Sequence, residues 1–88
     1  QQEEHPMPEF MDMHTGMSGI TKDGLAEAHA ADVAIQGEEN VTFKHAWADP
    51  ETGTVFCLSE APDAGAVNRI HERAGHPADR IFEVPVQA

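Results

Sequence analysis

Hydrophobic and polar residues alternate with a period of two in four short stretches, and recur at helical spacing in two longer ones. The first alternating stretch is "EFMDMH", Glu9 to His14, read as strand one. A Gly-rich connection follows, and Thr21 caps a predicted helix from Lys22 to about Gln36, with Gly37 as its C-terminal cap. Val41 to Ala48 reads as a second strand with Val41, Phe43, His45 and Trp47 on one face. "DPETG" supplies a turn, and Thr54 to Glu60 a third strand. Asp63 caps a second helix running to about Ala74 before Gly75, and Arg80 to Val86 is a fourth strand.

The order β-α-β-β-α-β predicts an α+β, ferredoxin-like domain. Right-handed crossovers give an antiparallel sheet in the order 4-1-3-2 with both helices on one face. Phe10, Phe43, Trp47, Phe56, Leu58, Phe82 and Val84 are too many for two short helices to cover. A second copy is the simplest cover for the remaining face, so a homodimer is expected.

Composition narrows the partners. Eighty-eight residues suffice for one domain with a modest core. Residues 1–6, "QQEEHP", carry no pattern; they read as an added leader before a domain spanning 7–88, and His5 is set aside with them. A formal charge of −11 repels nucleic acid and anionic lipid and attracts cations. No apolar run approaches the ~20 residues of a membrane span, so the expected location is the cytoplasm, with no membrane partner. One cysteine excludes an internal disulfide; Cys57, in the apolar run "TVFCLSE", reads as a buried, inert thiol.

Six histidines in so short a chain are many, and imidazole with carboxylate suits divalent transition metals. Asp12 and His14 share one face of strand one. His14 and His45 fall toward the same sheet end, roughly 9–10 Å apart at the backbone across two strand spacings. They could converge on one ion, with Asp12 as third ligand or as the acceptor that orients a ring. On the first helix, Leu25, Ala28, Ala31 and Ile35 form the inward stripe; Asp32 falls inside it, and His29, its i,i+3 partner, lies at its edge. On the second, His71 flanks Val67, Ile70 and Ala74. His76 follows Gly75 and reads as a solvated loop residue. Structural His–Asp pairs that merely satisfy each other explain the same residues.

The stretches "FMDMH", "AEAHAAD" and "TVFCLSEAPDAGAVNRIHERAGHPADRIFEV", with the Trp47 strand, resemble an actinobacterial family of nickel-responsive, nickel-binding ferredoxin-like proteins. The resemblance runs from Met7 to about Val84. It implies a dimeric ferredoxin-like subunit that binds nickel(II), for sequestration or detoxification, with no known reaction. The motifs that carry it contain Asp12, His14, His29, Asp32 and His71.

Three functions are open at this point. The first is a protein binding nickel or another divalent transition metal through Asp12, His14, His29, Asp32, His45 and His71. The second is a small dimeric enzyme, a cofactor-free oxygenase or isomerase, with His14 or His71 as base; it requires an enclosed apolar pocket and a perturbed histidine. The third is an interaction module that uses the bare sheet face.

Overall fold

The computed structural model describes residues 7–88; the leader expected over residues 1–6 lies outside the described residues. Strands β1 (Glu9–His14), β2 (Thr42–Asp49), β3 (Thr54–Glu60) and β4 (Arg80–Glu83) alternate with helices α1 (Lys22–Ile35) and α2 (Ala64–Arg73) in the expected order. The sheet order β2-β3-β1-β4 is the predicted 4-1-3-2 read from the other edge, and every neighbouring pair is antiparallel.

Local chemistry sets the element ends. Thr21 Oγ1 accepts from the Gly24 amide at 3.0 Å, and Asp63 Oδ1 from the Ala66 amide at 2.8 Å, so each helix starts on a side-chain cap. Helix α1 does not stop at Gly37. It tightens into a 3₁₀ turn, Gln36–Glu39, and the left-handed residue is Asn40 at φ 62°, where an amide side chain tolerates that backbone. Strand β4 ends at Glu83 rather than Val86, because Pro85 has no N–H to continue the ladder.

One face of the sheet is buried beneath the helices. Phe10, Asp12 and His14 of β1 alternate inward, as do Val55, Cys57 and Ser59 of β3. Phe10, Val41, Phe43, Ala61, Ala66, Val67 and Ile70 make one apolar cluster that anchors α2 to the sheet. Strand β2 departs from simple alternation. Phe43 pairs with Ser59 but His45 pairs with Leu58, so Lys44 is an extra residue, a β-bulge. The bulge reverses parity: Phe43 is buried, whereas His45 and Trp47 share the outer face with Leu58 and Phe56. Val41, Phe43, His45 and Trp47 therefore do not share a face, which corrects the expectation from the sequence.

Two glycines hold the loops around the buried face. At Gly53, φ is +76°, and an added Cβ would lie 2.6 Å from the Ser18 amide nitrogen. Its carbonyl accepts from the Met17 amide, which ties the β1–α1 connection to the β2–β3 turn. At Gly75, φ is +92° with open space around it. Here the His76 amide donates to the His71 carbonyl and the Gly75 amide to that of Glu72, a Schellman closure that folds residue 76 back over α2. Gly75→Ala should therefore cost only the left-handed backbone, about 1–2 kcal/mol. Gly53→Ala should cost more, because it adds a clash with backbone. Urea denaturation of the two variants checks the order.

Candidate metal centre

Alternation along β1 sends Asp12 and His14 into the space that Val or Ile would ordinarily fill. Helix α2 meets them there with His71, one turn beyond Val67 and directly after Ile70; all three are fully buried. Helix α1 contributes Asp32, 1% exposed. The Schellman turn adds His76. Three imidazoles and two carboxylates from four separate segments thus form one chain.

His71 is its centre. Nε2 lies 2.9 Å from Asp12 Oδ2 and Nδ1 lies 3.1 Å from Asp32 Oδ1. Carboxylates only accept, so both ring nitrogens donate and His71 is an imidazolium bridging two anions. Burial opposes that charge, yet the hydrogen bonds to Asp12 and Asp32 prevail and raise its pKa from 6.5 to about 9. Burial likewise favours neutral aspartates. The close His14 and His71 rings nonetheless hold Asp12 below the usual carboxylate value, and His71 and His76 do the same for Asp32. His76 Nε2 sits 3.0 Å from both oxygens of Asp32, and so donates to that carboxylate.

At the other end of the chain the hydrogen-bond geometry is poorer. His14 Nδ1 lies 3.2 Å from the Pro77 carbonyl, which can only accept. In the neutral ring the proton is then on Nδ1 and Nε2 carries a lone pair. That Nε2 lies 2.8 Å from Asp12 Oδ1, yet this buried oxygen has no partner of hydrogen-bond geometry. A ring nitrogen and a carboxylate oxygen this close need a proton or a cation between them. Cys57, opposite Asp12 in the β1–β3 register, puts Sγ 4.0 Å from the same Nε2. Burial, then the charges of Asp12 and Asp32, push the Cys57 thiol well above its ordinary value.

Ligand atoms of Asp12, His14, Cys57 and His71 all lie within 4.8 Å of one another, as do those of Asp32, His71 and His76. A small cavity borders both groups. His14, His29, Asp32, Cys57 and His76 line it among apolar residues of α1 and β3, and about 20 Å³ is open to the centre of a water-sized sphere. That is room for one small occupant.

The sequence candidates separate on this geometry. Asp12, His14, Asp32 and His71 come together. His29 reaches the cavity wall, but Asp32 is engaged by His71 and His76, and His29 Nδ1 is buried without a partner. His45 does not converge with His14, because the bulge at Lys44 turns it to the outer face, where its ring lies 4.5 Å from that of Trp47. His76 and Cys57 belong to the cluster although the sequence reading placed one in solvent and called the other inert. Gly75 held the signal for His76: a glycine just past a helix end brings the next residue against the last turn, where His71 lies.

Fold and site together define a small ferredoxin-like protein with a buried histidine–aspartate centre of metal-ligand type. The chain belongs to the SCO4226-like family, described as nickel responsive protein SCO4226-like, whose pattern matches residues 10–84. It is similar to SCO4226 from Streptomyces coelicolor A3(2), for which a crystal structure exists: 61% identity, 91% of this chain and 99% of that one covered, TM-score 0.89. No curated protein matches the chain.

The ionic chain makes stability depend on pH in two directions. The raised His71 pKa contributes stability that is complete below 6.5 and lost as pH rises through about 9. The lowered Asp12 and Asp32 contribute stability present above 3.8 and lost as pH falls through their folded values. The metal-free protein should melt highest between about pH 4 and 6.5 and lose roughly 3 kcal/mol by pH 9 or above. His71→Gln should flatten that alkaline limb in a thermal-melt series.

Proposed function

We propose that this protein binds nickel(II), or a divalent transition ion of similar preference, and holds it for sequestration or detoxification. The observation that carries the reading is the buried convergence of Asp12, His14, Cys57 and His71, whose ligand atoms lie within 4.8 Å of one another. His14 Nδ1 is held by the Pro77 carbonyl, the arrangement that fixes the tautomer of a ligating imidazole. The residues present fit an N/O-preferring ion. Asp12 and His14 would hold it, and His71 fixes Asp12 from the opposite side. The Asp32–His71–His76 group is the weaker candidate, because protons already satisfy its contacts. The family's description as nickel-responsive supports nickel among the ions of this preference.

The enzyme reading asked for an enclosed pocket beside a perturbed histidine, and both are present. Size decides against an organic substrate: about 20 Å³ stands against the roughly 300–1,000 Å³ of small-molecule pockets. One ion or one water fits.

Nickel uptake by the metal-free protein, followed by calorimetry and by metal analysis after dialysis, tests the reading. Binding should be clear at pH 7.5 and weak at 5.5, because protons compete with the ion for imidazole nitrogen. His14→Ala should lower affinity by at least about tenfold, whereas His45→Ala should leave the inner site unchanged. Equal uptake by wild type and His14→Ala would reject the assignment.

The protein is also proposed to pair through its outer sheet face, in a cytoplasmic setting. Two cross-strand rows run over that face, His45–Leu58–Met11–Phe82 and Trp47–Phe56–Met13–Arg80. Trp47 and Phe82 are each 43% exposed in the single chain. A second copy would cover both rows. Sedimentation should give a dimer, and Phe56→Arg a monomer that still takes up nickel.

A further inference from the structure

We infer that the groove between helix α1 and the edge strand β2 binds a small organic carboxylate with a compact apolar body, independently of any metal. The groove measures about 320 Å³, at the lower end of the roughly 300–1,000 Å³ of small-molecule sites. Its α1 wall is Lys22, Leu25, Ala26 and His29, which stand at i, i+3, i+4 and i+7 and so form one stripe. Its other wall is Lys44, His45 and Ala46, where the β-bulge breaks the regular pleat. Strand β2 ends the sheet and pairs only with β3. No further strand among the described residues therefore shields this side of the groove.

Charge selects the sign of the occupant. The chain carries sixteen acidic residues against five lysines and arginines, yet no carboxylate lines this groove. The contrast is with the open groove beside Pro8 and Pro85, which Glu9, Glu60 and Glu83 line. Elsewhere the cations are spent within the protein: Arg69 and Arg73 pair with Glu38 and Glu39, Lys44 with Glu9 and Glu60, and Arg80 lies over the Phe82 ring. Among the described residues, Lys22 alone of the lysines and arginines has neither a carboxylate nor an aromatic ring against it. Helix stability does not call for it either, because a cation in the first turn opposes the helix dipole. An anion in the groove relieves that placement.

The remaining lining selects the rest of the ligand. His29 Nδ1 is buried with no partner, so Nε2 is the ring nitrogen left to carry a proton to an acceptor. His45 is fixed by its ring, 4.5 Å from that of Trp47. Lys44 turns its ammonium to Glu9 and Glu60, so what it lends the groove is its alkyl stem. With Leu25, Ala26 and Ala46 that stem makes an apolar floor. A carboxylate held by Lys22 and His29, its body over that floor, meets both kinds of lining. Inorganic phosphate would leave the floor wet, and a neutral hydrocarbon would leave Lys22 unmatched. A peptide strand added to β2 fits less well, because the bulge at Lys44 interrupts the edge ladder it would need.

Amide-resolved NMR of the full, metal-free chain, titrated with 2-naphthoate at pH 7.5, tests the assignment. Saturable shifts should centre on residues 22–29 and 44–46. Lys22→Gln, at an exposed position, should weaken binding at least about threefold. Two comparison ligands are read on the wild-type chain, so they do not depend on how any variant folds. 2-Naphthalenemethanol has the same body without the charge, and inorganic phosphate has charge without the body. Each should bind at least about threefold more weakly than 2-naphthoate. Shifts centred elsewhere, no saturable shifts, wild-type affinity in Lys22→Gln, or an equal response to the alcohol or to phosphate would each overturn the carboxylate site. With no metal present, none of these outcomes bears on nickel binding.

Discussion

Everything at the centre of this protein hangs on the buried contact of His71 with Asp12 and Asp32. Two ionised carboxylates beneath a helix layer would repel each other and drive the layer apart. The imidazolium between them reverses that sign and ties β1, α1 and α2 to one ring. Phe43 packs 5.0 Å from the His71 ring, so the apolar core begins where the polar chain ends. The charges are therefore held in a low-dielectric setting, where each hydrogen bond is strong and each missing one is expensive. That is why the open end of the chain, at His14 and Asp12, carries chemical meaning. At a surface, bulk water would surround the Asp12 oxygen; here it is met by His14, 2.8 Å away, and by whatever the small cavity holds.

The β-bulge at Lys44 divides the labour of the sheet. Had β2 kept strict alternation from Phe43, His45 and Trp47 would crowd beneath α1, where Ala46 now leaves room. The extra residue instead sends both rings outward and places small Ala46 opposite Cys57. One inserted residue thus keeps the cavity open on the inner face and builds an aromatic patch on the outer one. The same device explains how a chain this short serves two surfaces at once: every inward position is committed to the core or to the polar chain, and the outer face is left for another occupant.

Most of the architecture was legible because its signals are local. Caps at Thr21 and Asp63, the turn "DPETG" and the period-two runs each act over a few residues, and the topology follows from their order. The inward faces of β1, β3 and α2 were legible for the same reason, which put Asp12, His14 and His71 near one another. What was hidden depended on register and on three-dimensional closure. A bulge has no fixed sequence signature, so the parity of His45 could not be read. Asp32 was matched to His29 by helical spacing, but in space it turns to residues 39 and 44 positions away. Cys57 joins the cluster only through its pairing with Asp12 across β1 and β3, a relation that single-residue hydropathy does not contain.

Burial also bears on the proposed metal binding. An acidic surface concentrates divalent cations near the chain but binds them loosely, because exposed carboxylates keep their water and salt screens them. An interior site works the other way: the ion must shed its water to enter, and the protein must loosen to admit it. The cavity is lined by α1 and by the 15–20 connection, which is pinned through Gly53. The proposed sequestration would draw on the position of the centre under the helix layer more than on the identity of its ligands.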